Sequence, residues 1–159
     1  MGDILAISVL YLALATAAAS QVKAAHVVTV STSLGRHLIF SNKEVPAPSG
    51  LPSIYIAKVE KLDISSIRYE KGNTVWLHFA VFFKTPATGT KVSIAFVPTI
   101  ATTPRPKLTT ETSVASGASF ARGSVEVKQQ TLGEQSYRVE ASIRGQAVGS
   151  GSIAFQKAR

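Results

Sequence analysis

Apolar and polar positions alternate in two different ways along this chain. From Ile4 to Val22 no charged side chain interrupts the run "ILAISVLYLALATAAASQV". Ile4, Leu5, Ile7, Val9, Leu10, Leu12 and Leu14 would surround a helix on all sides. A helix with no polar face needs cover from lipid or from other protein. Over Ile4–Val22 it would rise ~28 Å, roughly the hydrocarbon thickness of a bilayer. Ala17 and the other small residues between Ala13 and Ala25 would let neighbouring helices approach closely. Gly35 is the expected helix stop. The β-branched run Val27-Val28-Thr29-Val30 disfavours helix and leaves a strand open there.

From Arg36 onward the period changes. "SNKEVPAPSGLPS" (Ser41–Ser53) carries three prolines and a glycine and reads as an extended linker. Short β-like runs separated by turn residues follow. "SIYIAKVE" (Ser53–Glu60) predicts a strand. "TVWLHFAVFF" (Thr74–Phe83) places Val75, Leu77, Phe79, Val81 and Phe83 on one face and Trp76, Ala80 and Phe82 on the other. Both faces are largely apolar, so it is expected to be a central strand covered on both sides. "KVSIAFVP", "ARGSVEVKQQ" and "SYRVEASIRG" continue the series. In the last, Tyr137, Val139, Ala141 and Ile143 alternate with Arg138, Glu140, Ser142 and Arg144. Gly149-Ser150-Gly151 reads as a hairpin turn, or else as a place where another backbone approaches.

The opening "MGDILAISVLYLALATAAA" resembles the mature N-terminus of an archaeal type IV pilin or archaellin. Gly2-Asp3-Ile4-Leu5-Ala6 falls where that family has its short small-residue start. Ile4, Leu5 and Ala6 stand where bacterial relatives carry a Glu, which places the likeness with the archaeal branch. The resemblance covers about the first 30 residues and the general layout. It implies a long apolar helix leading directly into a β-sandwich, assembly into a filament, and a membrane-embedded assembly motor and a dedicated signal peptidase as partners.

The expected fold is therefore α+β, a long N-terminal apolar α-helix followed by an antiparallel immunoglobulin-like β-sandwich. The expected division is helix over 1–35, Pro-rich linker over 36–53 and outer sandwich over 54–159. The polymerisation helix would present Ile4, Leu5, Ile7, Val9, Leu10, Leu12, Leu14, Ala17 and Val22. The expected function is that of a pilin, inserted in the membrane before assembly and then displayed as an extracellular homopolymer of identical subunits, serving surface adhesion. The alternative is a secreted sandwich whose first stretch is a cleaved signal, with Ala15-Thr16-Ala17 and Ala17-Ala18-Ala19 as cleavage sites. Ala25–Leu34, with Val28, Val30 and Leu34, then becomes a strand donated to a neighbour, or the sandwich acts alone as an adhesion domain.

Composition narrows the chemistry. Charged residues make up 16% and the formal net charge is +8. The basic residues are spread singly, so no nucleic-acid partner is expected. With no Cys there are no disulfides and no thiolate sites. His26, His37 and His78 lack ligand spacing, and no ion loop follows Glu60 and Asp63. No G-x-S-x-G, Walker or dinucleotide motif occurs. No catalytic residue, metal or cofactor is expected, and the chain is read as a non-enzyme. Asn42 and Asn73 are outside sequons. Thr99–Ser119, the most loop-like segment, offers Thr102, Thr103, Thr109, Thr110, Thr112 and Ser113 as candidate O-glycosylation positions, so glycans are candidate partners.

Overall fold

A computed structural model describes residues 37–100, 102 and 104–158. Eight strands and two short helices follow in order: β1 (Leu38–Ser41), α1 (Pro52–Glu60), β2 (Ser66–Arg68), β3 (Thr74–Phe82), β4 (Lys91–Pro98), β5 (Leu108–Ser113), β6 (Phe120–Lys128), α2 (Gln129–Leu132), β7 (Ser136–Ile143) and β8 (Gln146–Gln156). They form a three-stranded sheet, β1-β3-β6, and a five-stranded sheet, β2-β8-β7-β4-β5. All pairs are antiparallel except β2 with β8, which is parallel.

This architecture corrects the α+β expectation. The described chain is mostly β. Its longest helix is the 9 residues of α1, and no described helix is long and apolar enough to cross a membrane. The long helix expected over 1–35 lies outside the described residues. The sandwich also takes in Leu38–Ser41, within the stretch read as a linker, because Leu38, Ile39 and Phe40 are all buried.

The two sheets meet through one core. Leu38, Phe40, Leu77, Phe79, Val81 and Val127 of the smaller sheet pack against Ile94, Phe96, Tyr137, Val139, Ile153 and Phe155 of the larger. The period-2 pattern of β7 explains its part: Tyr137, Val139, Ala141 and Ile143 are buried while Ser136 and Arg138 face water. Two turns use left-handed residues, Asn73 (φ 61°) before β3 and Arg144-Gly145 (φ 50° and 78°) between β7 and β8. Asn tolerates this region well, and the glycine adopts it without a Cβ clash.

The segment Ser53–Glu60 is a helix instead of the expected strand. Pro52 occupies its first turn, where a missing N–H costs nothing. Tyr55 and Val59, four residues apart, then share its buried side. They close a second, smaller core with Ile39, Val45, Ala80 and Phe82 on the outer face of the three-stranded sheet. The Tyr55 hydroxyl donates to the Pro46 carbonyl at 2.7 Å, which ties the Pro-rich segment to the helix. Arg122 adds two bonds to the same segment, to Glu44 Oε1 at 2.8 Å and the Val45 carbonyl at 3.0 Å. The cover is partial, however. Trp76, expected beneath it, is 57% exposed.

Three buried tyrosines give the fold a pH dependence. Burial pushes the phenols of Tyr55 and Tyr69 up to about 12, against the ordinary 10.0. The nearby Tyr137 and Glu134 add to the Tyr69 shift, whereas Arg122 partly offsets that of Tyr55. Burial also raises Tyr137, whose hydroxyl donates to the Leu132 carbonyl. A group held protonated in the native state stabilises fully below its unfolded pKa and loses that contribution as pH rises toward its folded pKa. The contribution of Tyr55 and Tyr69 is therefore full up to about pH 10 and is lost from there to about pH 12, by ~1 kcal/mol per pH unit for each. Urea unfolding across that range, read beside phenolate absorbance, checks this. Ionisation of these phenols at pH 10 with the fold intact would contradict it.

Candidate functional site

The flank of the sandwich between β1 and β8 carries two clefts on either side of the segment Asp63–Arg68. The first, about 600 Å³, is lined by His37, Asp63, Arg138 and Ser150–Ser152 among others. His37 Nε2 lies 3.0 Å from Asp63 Oδ2, while Asp63 Oδ1 accepts the Phe40 N–H at 3.0 Å. Ile64 N–H in turn donates to the Phe40 carbonyl at 2.9 Å. Asp63 thus serves the free side of β1 as a substitute for a neighbouring strand. The imidazole is half exposed, and the pair's geometry is that of a strap from the end of α1 to the start of β1. The two residues stand 26 positions apart, so no spacing in the sequence joins them.

Beside them, Gly149 and Gly151 lie inside β8, not in a turn. A Cβ at Gly151 would come within 2.8 Å of the Leu38 carbonyl oxygen and 3.0 Å of the Phe40 ring. The close-approach reading of this Gly-Ser-Gly stretch is the one the structure shows. It lets β1 cross over β8, and His37 makes a single parallel bridge to Ser150.

The second cleft, about 420 Å³, lies between the end of β1, β2, β3 and the end of β8. Trp76 stands at its rim on the outer face of β3, opposite Glu126 of β6. Asn42, Ser66, Arg68, Glu70 and Gln156 supply polar groups around it, and all five are exposed. Arg68 and Gln156 are register partners in the parallel β2–β8 pair. Tyr69, between Arg68 and Glu70, is buried, bonds the Gly133 carbonyl at 2.9 Å and stacks on Phe155 at 5.7 Å. That anchor fixes the backbone on which Arg68 and Glu70 project.

The residues singled out by sequence fall elsewhere. Ile4, Leu5, Ile7, Val9, Leu10, Leu12, Leu14, Ala17 and Val22 lie outside the described residues, as does Thr103. Thr102 is exposed. Thr109, Thr110, Thr112 and Ser113 belong to β5, an edge strand paired with β4, not to a loop. Thr109 and Ser113 are exposed there, whereas Thr112 is half-buried and donates to the Arg122 carbonyl at 2.9 Å. His78, on β3, is half-buried beside Glu44, Arg122 and Ser124. Among the described residues no three acidic or histidine side chains converge as a metal site would require.

No family model matches the chain, and no curated protein matches it. Among solved structures it is similar to an immunoglobulin-like protein from Pseudomonas aeruginosa, with a TM-score of 0.37 and 8% identity over 59% of this chain and 79% of that one. A β-glucosidase from Erythrobacter marinus gives 0.36 and 12% identity over 58% of this chain and 14% of that one. An alkylpurine DNA glycosylase from Pseudomonas fluorescens gives 0.34 and 17% over 58% and 28%. The chain spans about one-seventh of the length of the β-glucosidases it matches.

Proposed function

We propose that the chain is a structural subunit of an extracellular, pilin-like filament, with the sandwich as its outward domain and the apolar N-terminal segment as the part that holds subunits together. The observation that carries this reading is the abrupt change of regime along the chain. Ile4–Val22 has no charged side chain, and from Leu38 the chain is a sandwich with a core of its own. An uncharged apolar segment of this length joined to a water-facing domain needs a covering of lipid or of like segments. Repeated head-to-tail contacts between such segments build an open helical polymer.

A second reading, strand donation by Ala25–Leu34, is favoured by one feature. The described chain enters beside β8 through the His37–Ser150 bridge, and among the described residues only β2 otherwise pairs with that side of β8, at Ala154–Gln156.

Intact mass and N-terminal sequencing of the cell-surface protein, with sedimentation and electron microscopy of the full chain, test the proposal. The expected result is a chain that keeps Ile4–Val22 and sediments as a filament. Leu10→Asp, which places a charge in the apolar segment at a cost of several kcal/mol when buried, is expected to abolish pelleting while the sandwich stays folded by circular dichroism. A mature chain beginning near Ser20 or Ala25 would overturn the first reading and transfer the filament to strand donation. A monomer that keeps its N-terminus and needs no detergent would overturn both.

A further inference from the structure

We infer that the cleft beneath Trp76 is a binding site for an uncharged saccharide. The indole is 57% exposed near the start of β3, whereas on the same face of that strand His78 is half-buried and Ala80 and Phe82 are buried in the core that Tyr55 and Val59 of α1 help to close. Around it stand an amide (Asn42), a hydroxyl (Ser66), a guanidinium (Arg68), a carboxylate (Glu70) and a second amide (Gln156). Among the described residues these five side chains have no hydrogen bond or ion pair with the protein. Their donors and acceptors therefore face solvent in the free chain.

The chemistry of this group matches a pyranose ring. A sugar has one face of C–H groups, which lies against an aromatic π-face, and a rim of hydroxyls, each both donor and acceptor. The planar amides, carboxylate and guanidinium each offer paired hydrogen-bonding positions to such a rim. The cleft's one cation and one anion cancel, so it has no preference for phosphate or sulfate despite the chain's net charge of +8. Its volume of about 420 Å³ falls within the ~300–1,000 Å³ of small-molecule sites. Ile64, Ile67 and Val75 also line the cleft, but Ile67 and Val75 are buried and Ile64 is half-buried, so beside the indole the exposed apolar area is too small for the core of a stable protein interface. The site is also held ready. Buried Tyr69 fixes the backbone that carries Arg68 and Glu70, and the β2–β8 register sets Arg68 beside Gln156. Less ordering is then lost on binding.

This inference stands independently of the filament reading, because a monomeric sandwich would bind in the same way. Trp76 is the chain's only tryptophan, so its fluorescence reports on this cleft alone. The full-length protein, in detergent where needed, is titrated with cellohexaose, chitohexaose and mannohexaose, and with a heparin-derived hexasaccharide as a polyanion. The expected result is a saturable change in emission with at least one neutral hexasaccharide, half-complete at about 1 mM or below. Calorimetry with Trp76→Ala is expected to show no binding, Trp76→Phe partial binding, and Glu70→Gln at least about a tenfold loss, with melting temperatures unchanged. Silence with all three neutral sugars would overturn the inference, as would a response to the polyanion alone. An emission shift that follows protein concentration without sugar would also overturn it, and would assign the patch to a second copy of the chain.

Discussion

Replacing Phe96 with alanine is expected to lower the unfolding free energy by about 4 kcal/mol, the usual cost of deleting a fully buried aromatic ring. Phe96 has no exposed surface. It stands on β4, between β7 and the edge strand β5 of the five-stranded sheet, with ring centroids of Tyr137 and Phe155 at 6.4 and 6.3 Å. Tyr137 is tied to the Leu132 carbonyl and Gln135, and Phe155 is stacked on Tyr69. These neighbours cannot collapse into the space without giving up their own bonds, so most of the cavity stays open. The melting temperature should fall by roughly 10–15 °C for a domain of this size. Urea and thermal unfolding of the variant check this, and a loss below about 1 kcal/mol would show that the core relaxes around the site.

Gly151→Val is expected to cost about 3 kcal/mol through the opposite mechanism, overpacking. The new Cβ would sit 2.8 Å from the Leu38 carbonyl oxygen, a backbone atom that no rotamer change can move. Relief requires β1 to lift away from β8, which strains its pairing with β3 from Leu38↔Val81 to Ser41↔His78 and the Asp63 bond to the Phe40 N–H. Ser152→Ala, one residue along at an exposed position, is the control and should change stability by no more than about 0.5 kcal/mol. Equal stability of the two variants would mean that β1 can take another position at little cost.

Much of the strand inventory was legible in the sequence because half-buried strands declare themselves by alternation. Tyr137, Val139, Ala141 and Ile143 read as one face and are buried as one face. Val75, Leu77, Phe79 and Val81 do the same on β3. Ser53–Glu60 was not legible. A short run of Ile54, Tyr55, Ile56 and Ala57 suits either a strand or a helix. The uncovered outer side of Ala80 and Phe82 decided it, since Tyr55 and Val59 reach them together only from a helix. Gly149-Ser150-Gly151 carried the right composition for a turn. Only the crossing of β1 over β8 explains why the glycine is needed within a strand.

By itself, the sequence determined the chain's two regimes, an uncharged apolar opening and a β-patterned remainder without cysteine, because composition and period are local properties. It also placed Trp76, with Ala80 and Phe82, on the face of β3 opposite Leu77 and Phe79, a face expected to be covered. Whether that face was roofed depended on how far α1 reaches, which is a matter of packing between distant segments. The cleft beneath Trp76 draws Asn42, the Arg68–Glu70 segment and Gln156 from distant parts of the chain, with no common spacing to join the three. The tertiary structure alone brings them together, because the parallel pairing of β2 with β8 carries the end of the chain to its middle.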